Sequence, residues 1–389
     1  MSTLITNIGE LTTNSAADGG RLRDAAIVLE NGLVAWVGSA VDAPEADDRV
    51  DAAGRAVLPG WVDSHSHMVF AGDRTAEFEA RMAGEAYAAG GINVTVNATR
   101  AATDAELAEN LARLVGEARR GGTTTIETKT GYGLTVGDEV RSAIIAGAHA
   151  DAVTFLGAHV VPAGADRDEY LDLVTGEMLD AVAPYVSAVD VFCETGAFDE
   201  AETRRILGSA ADRGLATRVH GNQLGHGPGA RLAVEYGSLS VDHLGFLTDE
   251  DIALLGASPT VATVLPACDL STRMPLAPAR ALLDAGATVA IASNCNPGTS
   301  YTSSMGFAVA TAVLQMRLTV VEAVRAATLG GAIALNRHVD HAGAARVGLL
   351  EVGARADVQL LAAPSVTHLA YRPGMPLTSA VWRAGERIV

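Results

Sequence analysis

Short apolar and β-branched runs alternate with stretches of helical patterning eight times between residues 56 and 294. Alternating strand and helix patterns predict βα units around a parallel sheet, and eight parallel strands are the number that closes a (β/α)8 barrel. We therefore predict an α/β fold built on a TIM barrel. The eight predicted strands are Ala56–His65, Thr123–Lys129, Val153–His159, Val189–Glu194, Ala216–His220, Leu239–His243, Thr260–Leu265 and Thr288–Asn294.

The two ends of the chain have a different, β-rich pattern. Apolar and polar residues alternate over residues 26–38, where Asn31-Gly32 is typical of a hairpin turn, and residues 347–361 and 377–383 have a similar pattern. We expect both ends to share one sheet in a small β-sandwich domain. The predicted domains are residues 1–56 plus 346–389 for the β-sandwich and residues 57–345 for the barrel.

Seven of the eight predicted strands end at a polar side chain that can bind a metal ion or a substrate. In a (β/α)8 barrel the carboxyl ends of all strands meet at one rim, where active sites are found. A random scatter of polar residues would not fall so consistently on strand ends, so their position indicates function. The seven residues are His65, Lys129, His159, Glu194, His220, His243 and Asn294.

The pair His65 and His67 is a candidate metal-binding motif. Residues two apart on a strand share a face, so both imidazoles can point into the barrel mouth and chelate one ion. An isolated His-x-His pair is as readily explained by two hydrogen-bonded structural histidines. However, His220 and Asn294 end strands five and eight and can converge on the same point. Three strand-end histidines favour a metal site.

Charge and cysteine content exclude several classes of protein. The 28 Lys and Arg against 46 Asp and Glu give a net charge of −18, which repels nucleic-acid phosphates and anionic membranes. No apolar run approaches about 18 residues, and Met1–Glu10 lacks the pattern of a secretion signal. Cys193, Cys268 and Cys295 contain no Cys-x-x-Cys pair, which disfavours disulfides and a cysteine-rich zinc site. We expect a cytoplasmic protein without nucleic-acid or membrane partners.

The pair of histidines on strand one, one histidine on strand five, His243 on strand six and an acid-type position on strand eight resemble the metal-dependent amidohydrolase superfamily. Finer motifs resemble the imidazolonepropionase family within it, over essentially the full chain. The resemblance implies hydrolysis of a small anionic substrate, 4-imidazolone-5-propanoate, to N-formimidoyl-L-glutamate in histidine degradation. The motifs are Val69–Arg81, Thr128–Gly133, Phe155–Pro162, Asp190–Glu194, Val241–Leu244 and Asn296–Ser300.

The resemblance also implies roles for individual residues. One Zn²⁺ or Fe ion per chain would be bound by His65, His67 and His220, with the strand-eight residue Asn294 as a further ligand. The substrate would be held by Arg74, Tyr87, Tyr132 and His159, and lined on its other side by Asn296, Gly298 and Thr299. Family members are commonly dimers, so a homodimer is implied.

Arg74 suits the carboxylate of such a substrate, because a guanidinium binds a planar carboxylate through two parallel hydrogen bonds. From residue type alone, Arg74 is a surface or ion-paired arginine, and Tyr87 and Tyr132 are buried tyrosines with a satisfied hydroxyl. The surrounding motifs favour substrate-binding roles for these three residues.

The hydrolysis itself would use the metal ion, because a bound metal ion lowers the pKa of water and polarises a carbonyl oxygen. We expect His243 to orient the water or stabilise the developing oxyanion, with a structural imidazole as the alternative.

Two positions depart from the family pattern. Family members normally carry Asp, a metal ligand and general base, where this chain has Asn294; an amide oxygen still coordinates a metal but accepts no proton at neutral pH. Gln223 stands where many relatives have Glu, and it can hydrogen-bond the ring nitrogen without titrating. We predict that His243, Asn294 and Gln223 are the catalytic residues, and we expect Asn294 to impair catalysis.

Lys129 also ends a predicted strand. We interpret Lys129 as a neutral or ion-paired rim residue beside a single ion, rather than as a carbamylated bridge between two ions.

Two other functions stay open from the sequence. An aromatic-base deaminase shares the fold and the three histidines, but it typically needs a proton-shuttling Glu at the position of Gln223. A catalytically silent ligand-binding homologue would keep the pocket and lack acids at positions 223 and 294, as this chain does.

Overall fold

A computed structural model describes residues 1–84, 91–341 and 343–389. Within these residues the strands are β1 (Ser2–Thr12), β2 (Arg21–Glu30), β3 (Leu33–Ser39), β4 (Asp48–Asp51), β5 (Ala56–Pro59), β6 (Trp61–Asp63), β7 (Thr123–Lys129), β8 (Ala152–Ala158), β9 (Ala188–Cys193), β10 (Ala216–Gly221), β11 (Ser240–His243), β12 (Val261–Val264), β13 (Val289–Ile291), β14 (Val358–Leu361), β15 (Thr378–Arg383) and β16 (Glu386–Arg387).

The α-helices lie between the strands from β6 to β13 and after β13. They are α1 (Thr75–Ala83), α2 (Ile92–Ala101), α3 (Asp104–Arg120), α4 (Val136–Gly147), α5 (Arg167–Thr175), α6 (Glu177–Val182), α7 (Glu200–Ala211), α8 (Gly229–Glu235), α9 (Asp249–Gly256), α10 (Pro266–Thr272), α11 (Ala279–Asp284), α12 (Met305–Gln315), α13 (Val320–Arg325), α14 (Gly331–Ala334) and α15 (His368–Tyr371). Among the described residues, no helix combines the length and apolarity needed to cross a bilayer.

The chain forms two compact units. The first contains Met1–Ser64, Gly116–Thr125 and Ser304–Val389, and the second contains His65–Val115 and Ile126–Ser303. The domain boundaries inferred from the sequence, at residues 56 and 346, stay a prediction.

Strands from both ends of the chain share one sheet in the first unit, as predicted. Its order is β16-β15-β14-β5-β1-β2-β3, and β4 pairs with β1. The predicted hairpin joins β2 to β3 at Asn31 and Gly32, which both have positive φ (51° and 79°), as a two-residue turn of this kind requires. Side chains of alternate residues, including Ile5, Ile27 and Leu29, form a buried apolar core against this sheet.

The second sheet is the predicted barrel. Its eight strands follow the chain order from β6 to β13, with parallel pairing. The segments after β6 and β13 complete the circle, because the N–H of His67 donates to the carbonyl oxygen of Cys295 and the N–H of Asn294 donates to that of His65, each over 2.9 Å. This arrangement confirms the (β/α)8 fold class.

The first predicted barrel strand, Ala56–His65, is wrong as a single element. The structure divides it at Gly60: β5 joins the terminal sheet and β6 joins the barrel sheet. The division needs glycine, because a Cβ at position 60 would lie 2.2 Å from the side-chain oxygen of Thr124. The Gly60 N–H donates to the carbonyl oxygen of Asp357 at this crossing point. An uninterrupted apolar run therefore concealed a change of sheet.

Candidate active site

Three imidazoles from two distant parts of the chain converge at the barrel mouth. His65 and His67 follow β6, and His220 lies near the end of β10. The Nε2 atom of His67 lies 3.2 Å from that of His65 and 3.4 Å from that of His220. A tetrahedral zinc ion with Zn–N bonds of about 2.0–2.1 Å places its nitrogen ligands roughly 3.3–3.4 Å apart. Both of these distances match the spacing of nitrogen ligands around one ion.

The protonation state of these histidines also suits a metal. All three side chains are buried, and burial lowers the pKa of each imidazole well below its usual range, with neighbouring positive groups adding to the effect. Neutral imidazoles with free lone pairs are the form that binds metal ions.

Two buried carboxylates orient two of the imidazoles. His65 Nδ1 lies 2.7 Å from Asp242 Oδ2, and His220 Nδ1 lies 3.0 Å from Asp190 Oδ1. A carboxylate at Nδ1 fixes the proton there and directs the Nε2 lone pair to the metal. Burial alone would raise the pKa of Asp242, but Arg218 and Lys129 outweigh it and hold that pKa below its usual value. The pKa of Asp190 is raised, because burial outweighs Lys129.

Asn294 is placed to supply an oxygen ligand. Its φ of 52° is left-handed, a conformation that asparagine tolerates better than most residues. Its Nδ2 lies 3.4 Å from Thr299 Oγ1, whereas its buried Oδ1 has no hydrogen-bond partner among the described residues. A buried oxygen without a partner is costly unless something outside the protein chain satisfies it. The donor set of three imidazole nitrogens and one amide oxygen therefore fits a Zn²⁺ or Fe ion.

His243 lies beside the same centre, at the end of β11. One ligand atom from each of His65, His220 and His243 lies within 4.8 Å of the others. Burial lowers the pKa of His243 to about 4. Its φ of 85° is strained for a residue with a side chain, and such strain is common at active sites. His243 is thus a neutral imidazole held at the cavity in a costly backbone conformation.

Arg74 is buried in the wall of the cavity and paired with its own helix. Its Nε and Nη2 atoms donate to the two carboxylate oxygens of Glu77 over 2.8 and 2.7 Å. Its Nη1 lies against the backbone of Gly298, where a Cβ would be only 2.1 Å away. The Glu77 pair fixes the plane of the guanidinium, and the absence of a side chain at Gly298 makes room for it.

The loop from Asn294 to Thr299 is shaped by one side chain. Asn296 Oδ1 accepts hydrogen bonds from the N–H groups of Gly298 and Thr299, each over 2.8 Å. Asn296 Nδ2 donates to the carbonyl oxygen of Asn294 over 2.7 Å. These bonds organise the loop, and Asn296 and Thr299 also line the cavity.

The rings of His159 and Tyr132 pack beside the predicted metal ligand His67. The ring of His159 stacks on that of His67 with centroids 5.6 Å apart, and Tyr132 lies beside both rings. His159 Nδ1 donates to the carbonyl oxygen of Gly131 over 3.0 Å, and burial lowers the pKa of this imidazole to about 4. His159 therefore presents Nε2 as an acceptor. Tyr87, the remaining predicted substrate ligand, lies outside the described residues.

Gln223 enters the cavity on a segment held by Glu194. The Oε1 atom of Glu194 accepts hydrogen bonds from the backbone N–H groups of Gln223 and Leu224. Burial raises the pKa of this carboxyl. Glu194 therefore positions Gln223. Sequence reasoning did not predict this role for Glu194.

These residues line a cavity that opens to solvent. Of the predicted residues, it is lined by His67, Arg74, Tyr132, His159, His220, Gln223, His243, Asn294, Asn296 and Thr299. Ile92 and Phe192 also line it and were not predicted. No signal in the sequence distinguishes these two from ordinary core residues.

The comparisons with known proteins agree with this arrangement. The sequence profile of the amidohydrolase family matches residues 56–386. An imidazolonepropionase from Saccharopolyspora erythraea is 68% identical over 387 residues, covering 100% of this chain and 99% of that protein. An imidazolonepropionase from Arthrobacter sp. is 63% identical and covers 100% of both chains. This chain belongs to the imidazolonepropionase family of amidohydrolases.

A solved structure shares the amidohydrolase fold. An adenosine deaminase from Xanthomonas campestris, crystallised with bound zinc, has a TM-score of 0.72 and 20% identity, covering 99% of this chain and 92% of that chain. At this identity the likeness is one of fold alone. Family membership and the histidine cluster together support a metal cofactor.

Sequence reasoning missed two buried charged residues, Glu127 and Arg218, which lie close to the predicted metal ligands. The family motifs directed attention to residues at the strand ends, whereas Glu127 and Arg218 lie two residues before Lys129 and His220. Residues two apart on a strand point to the same face, so this alternation was the available signal. Lys129 is ion-paired, as interpreted, but its side chain is fully buried instead of lying at the rim.

Proposed function

We propose that this chain hydrolyses the ring amide C–N bond of 4-imidazolone-5-propanoate to give N-formimidoyl-L-glutamate, using one Zn²⁺ or Fe ion per chain. The observation that carries the proposal is the convergence of His65, His67 and His220 beside a cavity whose wall contains the buried Arg74. Relatives of 68% and 63% identity with the name imidazolonepropionase support the choice of substrate.

The metal ion would be held by the Nε2 atoms of the three histidines and by Asn294 Oδ1. When bound, it would lower the pKa of a water molecule and polarise the carbonyl oxygen of the substrate ring. Imidazole nitrogen suits both zinc and iron, so the donor set is compatible with either.

Arg74 would bind the propanoate group of the substrate. Glu77 occupies Nε and one N–H of Nη2, which leaves Nη1 and the second N–H of Nη2 for the substrate. Those two groups can donate side by side to a planar carboxylate. Because the chain has a net charge of −18, this local cation is what makes the site attractive to an anion.

His243 and Gln223 would act on the reacting bond. As a neutral imidazole, His243 donates a hydrogen bond to the developing oxyanion or accepts a proton from the attacking water. Burial lowers the pKa of His243 to about 4, so the imidazole is neutral at pH 7 and has a nitrogen lone pair that can accept a proton. Gln223 would donate to or accept from the ring nitrogen without titrating.

We further propose a homodimeric protein of the cytoplasm that binds no nucleic acid. The net charge of −18 supports the absence of a nucleic-acid partner. Cys193, Cys268 and Cys295 form no disulfide among the described residues, which supports a reducing compartment.

The test follows the ultraviolet absorbance of imidazolone propanoate with purified chain of measured metal content. We expect absorbance loss that needs the metal and disappears in the His67→Gln variant. Turnover of guanine or cytosine without imidazolone loss would instead identify an aromatic-base deaminase. Stoichiometric uptake of intact imidazolone propanoate would identify a silent binding protein, the alternative favoured by Asn294 and Gln223.

A further inference from the structure

Lys129 is the single lysine of this chain, whose other 27 basic residues are arginines. Its side chain is completely buried. The Nζ atom lies 2.9 Å from Glu127 Oε1 and 3.0 Å from Asp190 Oδ2. The one lysine is therefore placed between two buried carboxylates.

One of these carboxylates contacts a predicted metal ligand, and the other contacts the residue between two predicted ligands. The second oxygen of Asp190 lies 3.0 Å from Nδ1 of His220. The second oxygen of Glu127 accepts the N–H of Ser66, the residue between the two strand-one histidines, over 3.2 Å. The N–H of Lys129 also donates to the carbonyl oxygen of Ser66 over 2.9 Å. Lys129 thus links the ligands of the first and fifth barrel strands.

Arg218 makes the corresponding contact for His65. Its Nη2 atom lies 3.2 Å from Asp242 Oδ2, and that same oxygen lies 2.7 Å from His65 Nδ1. Arg218 lies two residues before His220 on β10 and is itself buried. Three carboxylates and two cations therefore form one buried layer behind the imidazoles.

Stability does not explain such a layer. A buried ion pair is often no more stabilising than well-packed apolar residues of the same volume. The layer does explain how the histidines are oriented, because each carboxylate that contacts His65, His220 or Ser66 is also paired with a buried cation. The compact ammonium of lysine can pair with two carboxylates at once in a narrow space, whereas the planar guanidinium of arginine is larger and has fixed donor directions.

We propose that Lys129 and Arg218 are positioning residues that set the affinity of the histidine site for its metal ion. They hold Glu127, Asp190 and Asp242, and these carboxylates hold the ligand-bearing segments. These carboxylates supply negative charge near the ion, which matters because Asn294 would be an uncharged ligand. This inference rests on the metal-binding part of the proposed function and is independent of the substrate.

The test measures Zn²⁺ dissociation constants of the full chain by competition with a coloured chelator. For Lys129→Met, which keeps the length of the side chain and removes its charge, we expect binding to weaken about 10- to 100-fold, as for loss of outer-shell partners at other metal sites. Circular dichroism establishes that the variant is folded. Arg141→Met, which removes a partly buried arginine paired with Asp104 and Asp138, is the matched control and should bind Zn²⁺ like the parent. Equal affinity in folded Lys129→Met and parent would overturn the proposal.

A double variant tests the route through Asp190. If Lys129 acts through this carboxylate, Lys129→Met combined with Asp190→Asn should bind Zn²⁺ no more weakly than the weaker single variant. Fully additive losses in the double variant would contradict that route.

The parent protein provides a measurement that needs no folded variant. Lysine labelled with ¹³C at Cε gives one side-chain NMR signal, since the chain has one lysine. We expect that signal to shift when the apoprotein takes up one equivalent of Zn²⁺, and an unchanged signal would count against the proposal. Metal affinity that depends on Lys129 in a chain that leaves imidazolone intact would overturn the substrate proposal alone.

Discussion

The backbone N–H of Asn294 donates to the carbonyl oxygen of His65 over 2.9 Å, which ties the end of the last barrel strand to the first histidine of the candidate metal site. The amide side chain of Asn294 is consequently held beside the imidazoles, with its Oδ1 atom buried and unpartnered among the described residues. A change of this one side chain alters the ligand set without moving the backbone that carries it.

Asn294→Asp should raise kcat by about 10²- to 10⁴-fold, the usual contribution of a positioned general base. The carboxylate would take the place of an oxygen that already points into the site. Initial rates of imidazolone loss at saturating substrate measure the effect, with Asn294→Ala as a control that lowers metal affinity and gives no gain. Equal kcat in parent and Asn294→Asp would show that another group, with His243 the first candidate, already acts as the base.

Removal of the metal should abolish hydrolysis and destabilise the chain. An ion at 1,000 times its Kd stabilises the folded state by about 4 kcal/mol. A chelator should therefore lower the thermal-unfolding midpoint of the parent and leave that of His67→Gln unchanged. His149→Gln, a partly exposed histidine after α4, should retain one ion per chain by elemental analysis. Retention of the ion by His67→Gln would contradict the ligand assignment.

Arg74→Gln should raise KM for imidazolone propanoate by about 10- to 150-fold, the loss expected for hydrogen bonds between charged groups. Glu77 would keep Arg81 as a partner, whose Nη1 lies 3.6 Å from its carboxylate. An imidazolone without the propanoate group should be turned over equally by parent and variant. A similar loss with both substrates would mean that Arg74 supports the fold of the cavity and does not bind the carboxylate.

Gly298→Ala should also weaken the predicted interaction between Arg74 and the propanoate group, since the added Cβ would lie 2.1 Å from Arg74 Nη1. We expect a raised KM for imidazolone propanoate and little further effect when Arg74→Gln is already present. Gly208→Ala in α7, where a Cβ meets open space, should leave KM unchanged. Additive effects of Gly298→Ala and Arg74→Gln would speak against a shared cause.

Asp269→Asn should stabilise the chain increasingly as pH rises. Burial raises the pKa of Asp269 from its usual 3.8 to about 8, so between these values the folded chain holds a proton that the unfolded chain has released. Folded stability then falls with rising pH, by at most about 1.4 kcal/mol per pH unit. The thermal midpoint of Asp269→Asn should exceed the parent value more at pH 7.5 than at pH 5. Asp212→Asn, on the exposed surface, should differ from the parent equally at both pH values.

The barrel and the terminal sheet could be predicted because each depends on a repeating local pattern. Alternation of strand and helix patterns is visible for β7 to β13, and hairpin chemistry is visible at Asn31-Gly32. The break at Gly60 could not be predicted, since an apolar run looks the same whether it stays in one sheet or passes into another. Only the side chain of Thr124, 64 residues further along, makes the break necessary.

The histidines of the site could be located from strand ends, whereas the residues that orient them could not. Asp190 and Asp242 act through their position behind an imidazole, which depends on the register of neighbouring strands. The pair of Glu77 with Arg74 similarly depends on where α1 begins. Sequence spacing identifies chemically able residues, but three-dimensional packing decides which of them face one another.

Because Lys129 is the single lysine and is buried, proteolysis at this residue can report local opening of the barrel. A lysine-specific endoprotease has one cleavage position, after Lys129, which would release fragments of residues 1–129 and 130–389. That peptide bond lies at the end of β7, and the side chain the protease must grasp is enclosed, so digestion requires the strand to detach. The rate of this one cut would measure how often the barrel opens beside its histidines, and bound metal should slow it.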